Sequence, residues 1–221
     1  MSNADTPFRP FETQIDADTA LNVLRQATEG ADDGELFMER RRSESLVFDD
    51  GRLKNASYDA AEGFGLRAVR AEAAGYAHST EISESSLRRA AETARLAVGA
   101  GGGRMADAPR ASNIRLYADM DPIADASFTA KVETLTALND YARSLDKRVV
   151  QVSASLNASL QEVVILRPEG TTLNDIRPMA QMHVSVIVEE DGRRETGFAG
   201  GGGRHGLLAL MQPDHWHKLV A

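Results

Sequence analysis

The amino-acid sequence predicts an α+β fold with helices packed on antiparallel β-sheets. Three observations lead there. Asp50-Gly51 and Asp191-Gly192 are each flanked by segments in which apolar residues alternate with polar ones, the period of half-buried strands joined by a tight two-residue turn. Two longer segments, opening at Ser83 and at Ser127, repeat apolar residues at helical spacing. The strand segments also follow one another without intervening helices, which selects hairpins over the β-α-β alternation of a parallel sheet.

Taken in order, residues 1–17 are expected as a flexible arm, because the first fifteen are mostly polar with two prolines. The first half of the fold then covers 18–98. Asp18 is the expected N-cap of a helix carrying Leu21, Leu24 and Thr28, and Gly30 its stop. Strands are expected over 35–42 and 44–49, then over 52–58 beyond the Asp50-Gly51 turn. A further hairpin joins 63–70 to 71–80, and Ser83 caps a helix with Leu87, Ala90, Ala94 and Val98 on one face. Residues 99–126 read as a linker and irregular segment, opening on the glycine-rich run GAGGGR. The second half, 127–206, begins with a helix over 127–145. Val150, Val152, Ala154 and Leu156 alternate as a strand, 162–167 and 171–176 are further strands about the Glu169-Gly170 turn, and the 182–199 hairpin completes the set. Residues 207–221 are expected to begin a truncated connection to a C-terminal domain.

Composition narrows the function. The chain has 221 residues, 42% of them hydrophobic and 26% charged, enough for a core and ordinary for a soluble domain. Its formal net charge of −8 argues against a general nucleic-acid or anionic-membrane surface. It has no cysteine, hence neither disulfides nor thiolate metal ligands, which suits the cytoplasm. No apolar run approaches the ~18 residues of a membrane-spanning helix.

The candidate contact residues are Gly200, Gly201, Gly202, Gly203, Arg204 and His205. Four glycines after a strand are entropically costly, so they mark a sharp bend or the close approach of a ligand or another chain. Arg204 and His205 beside them are suited to contact a peptide or a partner. The run lacks the Lys-Ser/Thr of a phosphate-binding loop, so nucleotide binding is not expected. Gly63-Phe64-Gly65 reads as a strand whose glycines admit close packing. Arg40-Arg41-Arg42 reads as a solvated, salt-bridged strand edge. The acidic clusters beside the turns, Asp49-Asp50 and Glu189-Glu190-Asp191, read as surface charge. His215 and His217 flank Trp216 on an expected helix start, where residues two apart diverge rather than share a metal.

Three ordered segments, 36–80, 147–166 and 182–206, the last reading MHVSVIVEEDGRRETGFAGGGGRHG, resemble the TldD/PmbA (TldE) metalloprotease family, whose members were also called modulators of DNA gyrase. The likeness is closer to the TldD branch and confined to the N-terminal region. It implies a cytoplasmic zinc-dependent peptidase that cleaves unfolded or leader peptides, with a TldE-like partner subunit or as a homodimer. The family's metal-binding His-Glu-x-x-x-His helix lies in a C-terminal domain. None of His78, His183, His205, His215 and His217 stands in that arrangement. The resemblance therefore assigns zinc to that further domain and neither a catalytic residue nor a metal ligand to this chain. It implies a non-catalytic part serving substrate access and subunit assembly, with no direct nucleic-acid or membrane contact. The alternative is a stand-alone protein-binding module of gyrase-modulator or toxin–antitoxin type.

Overall fold

The computed structural model describes residues 7–99 and 118–221. In chain order its elements are α1 (Pro10–Thr13), α2 (Ala17–Ala27), β1 (Asp33–Asp49), β2 (Arg52–Arg70), β3 (Ala73–Ser79), α3 (Glu84–Val98), α4 (Phe128–Leu145), β4 (Val149–Leu166), β5 (Thr172–Glu190), β6 (Arg193–Gly203), α5 (Leu207–Leu210) and α6 (Pro213–Val220). The strands form one sheet in the order β3-β2-β1-β4-β5-β6. The fold is α+β, and helix followed by three sequential strands and helix occurs twice along the chain.

Local chemistry explains the element ends. Ser83 accepts from the Ser86 N–H and Ser127 from the Ala130 N–H, each satisfying an orphan donor of a first helical turn. The first long helix is capped by Asp16, which accepts from the Thr19 N–H at 2.8 Å, rather than by the expected Asp18. Asp50-Gly51 and Asp191-Gly192 both have positive φ, 52° and 77° in the first and 52° and 78° in the second, as a primed two-residue turn requires. Gly63 and Gly65 admit close packing: a Cβ on Gly63 would lie 2.5 Å from the Ser79 carbonyl oxygen, and one on Gly65 would meet the Tyr76 ring.

The strands are longer than expected. The segments 35–42 and 44–49 are one strand, as are 52–58 with 63–70, and 150–156 with 162–166, where β4 ends one residue short of the expected 167. The reason is visible in β1. Leu36, Met38, Leu46 and Phe48 are buried at even positions, and Arg40, Arg42 and Glu44 keep that parity. The geometry continues through the charged stretch although the apolar pattern stops. Arg40 and Arg42 are therefore not a solvated edge. β1 is an internal strand, and their side chains are 13% and 8% exposed. Arg40 donates from Nε and Nη2 to Glu162 Oε2, and Arg42 pairs with Asp121 at 2.8 Å.

The described residues form two compact units that interleave along the chain, 7–41, 61–99 and 162–175 in one and 42–60, 118–161 and 176–221 in the other. This differs from the two consecutive halves expected. In the first unit α2 and α3 pack Val23, Leu24, Leu87 and Ala94 with Leu36, Met38, Phe64, Leu66, Val164 and Leu166. Residues 7–17 belong to this core rather than to an arm: Phe8 and Ile15 are buried, and the Phe8 N–H donates to Glu162 Oε1 at 3.0 Å. In the second unit Leu135, Leu138 and Ala142 of α4 pack with Leu46, Phe48, Val152, Leu156, Met182 and Val184. Leu207, Leu210 and Trp216 join that core, so the segment 207–221 is an integral part of the unit. The GAGGGR run lies outside the described residues beyond Gly99, as do residues 1–6 of the expected arm. The end of the expected linker is fastened to the second unit, where Asp125 accepts from the Leu208 N–H at 2.9 Å.

Lys131 is the most deeply buried charge in the second unit, at 1% exposure. Its ammonium donates to Glu44 Oε2 and to the Ile123 carbonyl. Removing one member of such a pair strands the other charge. Lys131→Met should cost about 3 kcal/mol in urea unfolding, and Lys131→Met with Glu44→Leu should recover more than half of it. A single-variant loss no larger than that of an exposed lysine would show that the pair does not hold the unit.

Asp49 accepts from Ser153 Oγ at 2.7 Å and Gln151 Nε2 at 2.9 Å, with Lys54 at 3.3 Å. These hydrogen bonds, that from Ser153 first, hold its carboxyl below the usual carboxylate range. A depressed folded-state pKa stabilises above the unfolded value and loses that contribution as pH falls through the folded one. The Tm advantage of the unaltered chain over Asp49→Asn should thus be full at neutral pH and shrink as pH falls below ~3.9, measured by calorimetry across that range.

Candidate functional site

The glycine run is strand, not bend. Antiparallel pairing of β5 with β6 runs unbroken from Glu190↔Arg193 to Ala180↔Gly203, with His183↔Gly200, Met182↔Gly201 and Gln181↔Gly202. The expected strand end at Ala199 is thus corrected by four residues of continued ladder. Glycine is required there by close approach. A Cβ on Gly200 would lie 2.2 Å from His183 Nδ1, and one on Gly202 would lie 2.4 Å from the Ala180 carbonyl oxygen and 2.8 Å from Gln181 Cγ. Gly201 has ordinary space, with His215 Nε2 at 3.6 Å.

The two-residue turn fixes which main-chain groups face outward. In such a hairpin the pair closing the turn exchanges both hydrogen bonds, and alternate pairs follow. Glu190 with Arg193 is therefore a bonded pair, and so are Val184 with Ala199 and Met182 with Gly201. Glu189 provides an independent check. Its N–H donates to the Arg148 carbonyl at 2.9 Å, away from β6, as a non-bonded partner of Arg194 must. It follows that Arg194, Thr196, Phe198, Gly200 and Gly202 direct their N–H and C=O groups to the outer side of β6. β6 ends the strand order, so among the described residues no strand pairs with that side. The same parity explains Pro178 within β5. Its nitrogen would face the β6 side, but beyond the last pair at Ala180↔Gly203, where no ladder bond is lost.

The two faces of β6 differ. On one, Phe198 and His183 stack, with ring centroids 5.7 Å apart and planes at 16°, and Phe198 is 72% exposed. His183 Nδ1 is buried against Gly200 without a hydrogen-bond partner. On the other, α6 packs below Gly201. Trp216 is buried there and its Nε1 donates to the Met211 carbonyl at 3.2 Å. His217 stacks on Tyr141 at 4.1 Å. His215 approaches Gly201 instead, so the two histidines diverge.

Of the six candidate residues, the structure places the four glycines in one edge strand and turns the other two back onto the chain. Arg204 Nη1 donates to the Pro178 carbonyl at 3.3 Å. His205 Nδ1 lies 2.9 Å from the Gly206 carbonyl oxygen, which makes Nδ1 the protonated nitrogen. Both secure the exit of β6. His183, Phe198 and Gln181, which flank the glycines, are not among the candidate contact residues that the sequence suggests. The signal for them is the turn itself: once Asp191-Gly192 sets the register, His183 must oppose Gly200.

Gly200→Ala should destabilise the chain by about 1–3 kcal/mol, as overpacking does, and His183→Ala in the same chain should remove most of that loss. Gly202→Ala meets a backbone carbonyl, so Gln181→Ala should not rescue it. Chemical denaturation of these variants, with His183→Ala alone as the fifth, measures both. Equal, additive losses at Gly200 and His183 would show that the ring does not dictate the glycine.

Two family models match consecutive parts of the chain: PmbA/TldA metallopeptidase domain 1 over residues 34–98, and the PmbA/TldA metallopeptidase central domain over residues 121–218. The metalloprotease TldD homolog of Buchnera aphidicola (subsp. Acyrthosiphon pisum) is 32% identical over 213 residues, 92% of this chain and 44% of that protein. The Haemophilus influenzae metalloprotease TldD homolog is 35% identical over 200 residues, 88% of this chain and 41% of that protein. The chain thus spans less than half the length of these relatives. Among solved structures, TldE from Thermococcus kodakarensis superposes with a TM-score of 0.72 at 17% identity, over 91% of this chain and 46% of that one, a likeness of fold. The family's metal finds no fitting ligand set in the part described: no group of three or more His, Cys, Asp or Glu side chains able to hold an ion occurs among the described residues. Nor is any described helix long and apolar enough to cross a membrane. From the two matched domains and the shared fold, the chain belongs to the PmbA/TldD metallopeptidase family, of which it carries the first and central domains.

Proposed function

We propose that these domains are the non-catalytic part of a zinc-dependent peptidase acting in the cytoplasm, and that they receive unfolded or leader peptides by strand addition along β6. The observation that carries this reading is the open hydrogen-bonding edge at Thr196, Phe198, Gly200 and Gly202. Charged residues ordinarily blunt such an edge. β6 keeps them near its turn, at Arg193, Arg194 and Glu195, and carries none from Thr196 to Gly203. Pairing main chain with main chain tolerates many sequences, which matches a substrate defined by being unfolded. It also holds the peptide extended, the form in which each bond is reachable for cleavage.

In this proposal the catalytic metal is held outside the present residues, where it would lower the pKa of a bound water and polarise the scissile carbonyl. The present chain binds and orients. A TldE-like partner subunit, or a second copy of the same protein, completes the assembly.

Proline at position 198 separates edge docking from folding. The Phe198 N–H faces outward, so Phe198→Pro leaves the β5–β6 ladder intact, whereas Ala199→Pro breaks it. In the full-length protein, assayed with zinc and its partner subunit, Phe198→Pro should raise KM for an unstructured peptide about tenfold, the loss of one or two backbone hydrogen bonds, and beyond any effect of Phe198→Ala. Its unfolding midpoint should stay near that of Phe198→Ala, while Ala199→Pro should lower it. An unchanged KM in Phe198→Pro would overturn strand addition. Absence of chelator-sensitive cleavage by the full-length pair would overturn the peptidase reading in favour of a protein-binding module.

A further inference from the structure

Resting on that reading of β6, a more specific inference concerns what the bound strand must carry. Side chains directly opposite one another in adjacent strands share a face of the sheet. A strand paired along the outer edge of β6 therefore sets the residue opposite Gly200 on the face that holds Phe198 and His183. Gly200 has no side chain, and His183 uses that absence. The position a Cβ would take lies 2.2 Å from its Nδ1, so the imidazole leans across β6 toward the open edge. There it stacks with Phe198, the two planes 16° from parallel. Among the described residues Phe198 is the most exposed large apolar side chain, at 72%. Together the two rings form a wall that borders the vacant lane opposite Gly200.

We propose that the wall selects an extended peptide with an aromatic side chain opposite Gly200. A ring placed there meets two rings in near-parallel alignment, and aromatic contacts add to the area they bury. An alanine or serine at the same place stops short of the wall. Filling the lane beside an edge glycine with an aromatic residue of the neighbouring strand is a recognised way of stabilising such edges. The next position, opposite Gly202, differs: Gln181 Cγ crowds that glycine, so the selection is confined to one residue of the bound strand.

The test uses the full-length protein and a fluorescein-labelled peptide of alternating threonine and serine with one central phenylalanine, followed by anisotropy. The same peptide with alanine at the centre, and versions of both N-methylated on alternate amides, complete the set. The phenylalanine peptide should bind about tenfold more tightly than the alanine peptide. Phe198→Leu and His183→Asn, each checked for folding by circular dichroism, should bring its affinity down to that of the alanine peptide. Equal binding of the two peptides by the unaltered protein, with N-methylation still abolishing it, would overturn the aromatic preference and leave edge docking standing. Binding indifferent to N-methylation, or no binding by any of the peptides, would overturn both.

Discussion

Everything on β1 depends on how three charges at its middle are neutralised. Arg40, Arg42 and Glu44 hold the parity of the buried residues on either side, Leu36 and Met38 before them and Leu46 and Phe48 after. Leaving such groups buried and unpaired would cost several kcal/mol each. Each has a partner: Arg40 has Glu162, Arg42 has Asp121, and Glu44 has Lys131. The partners come from β4, from the segment before α4 and from α4 itself. Closing these pairs fixes β1 as one strand of 17 residues and fastens α4 and its preceding segment within the second unit. Glu162 does further work, because its other oxygen receives the Phe8 N–H. The N-terminal segment is thereby held by the same carboxylate that neutralises Arg40.

These pairs also show what the sequence could and could not reveal. The two-residue turns were legible because Asp-Gly is one of few dipeptides at ease with positive φ at both positions. The helices opening at Ser83 and Ser127 were legible because a capping serine and an apolar stripe agree. Strand length was not legible, because charge at an inward position looks like a strand end until its partner is known. That partner lies 122 residues away for Arg40 and 87 for Glu44. The burial of Phe8 was hidden for the same reason: its fate rests on a carboxylate 154 residues on. Asp16 and Asp18 are both plausible caps two residues apart, and only the Thr19 N–H decides between them.

The candidate site was legible in part. Four glycines in a row pointed to close approach, and at Gly200 and Gly202 there is close approach, but from a neighbouring strand rather than across a bend. A glycine is read as flexible when nothing restrains it. Here the Val-x-Val-x-Val run of β5 and the Asp191-Gly192 turn impose a register that carries β6 straight through to Gly203. Arg204 and His205 drew attention as the polar residues beside the glycines, yet their ring and guanidinium groups are engaged with carbonyls of Gly206 and Pro178. The side chains that border the open edge, Phe198 and His183, sit among strand residues where an aromatic or a histidine looks like ordinary core.

Each edge strand of the sheet has a helix against one face. β3 lies against α3, closely enough that a Cβ on Gly75 would meet the Ala94 carbonyl. β6 touches α6 on one face, through Gly201 and His215, and among the described residues no strand pairs with its outer main-chain groups. An edge of that kind is a hazard in a protein with no use for it, since any extended chain can pair there. Glycines compound the hazard by removing the side chains that would otherwise obstruct approach. The fold retains both features in a chain that elsewhere neutralises every described inward charge of β1, so the economical account is that the open edge is used. Under the proposed function, a peptidase that accepts unfolded chains of many sequences would need a grip on the one element they share, the backbone, and the edge of β6 would offer that grip.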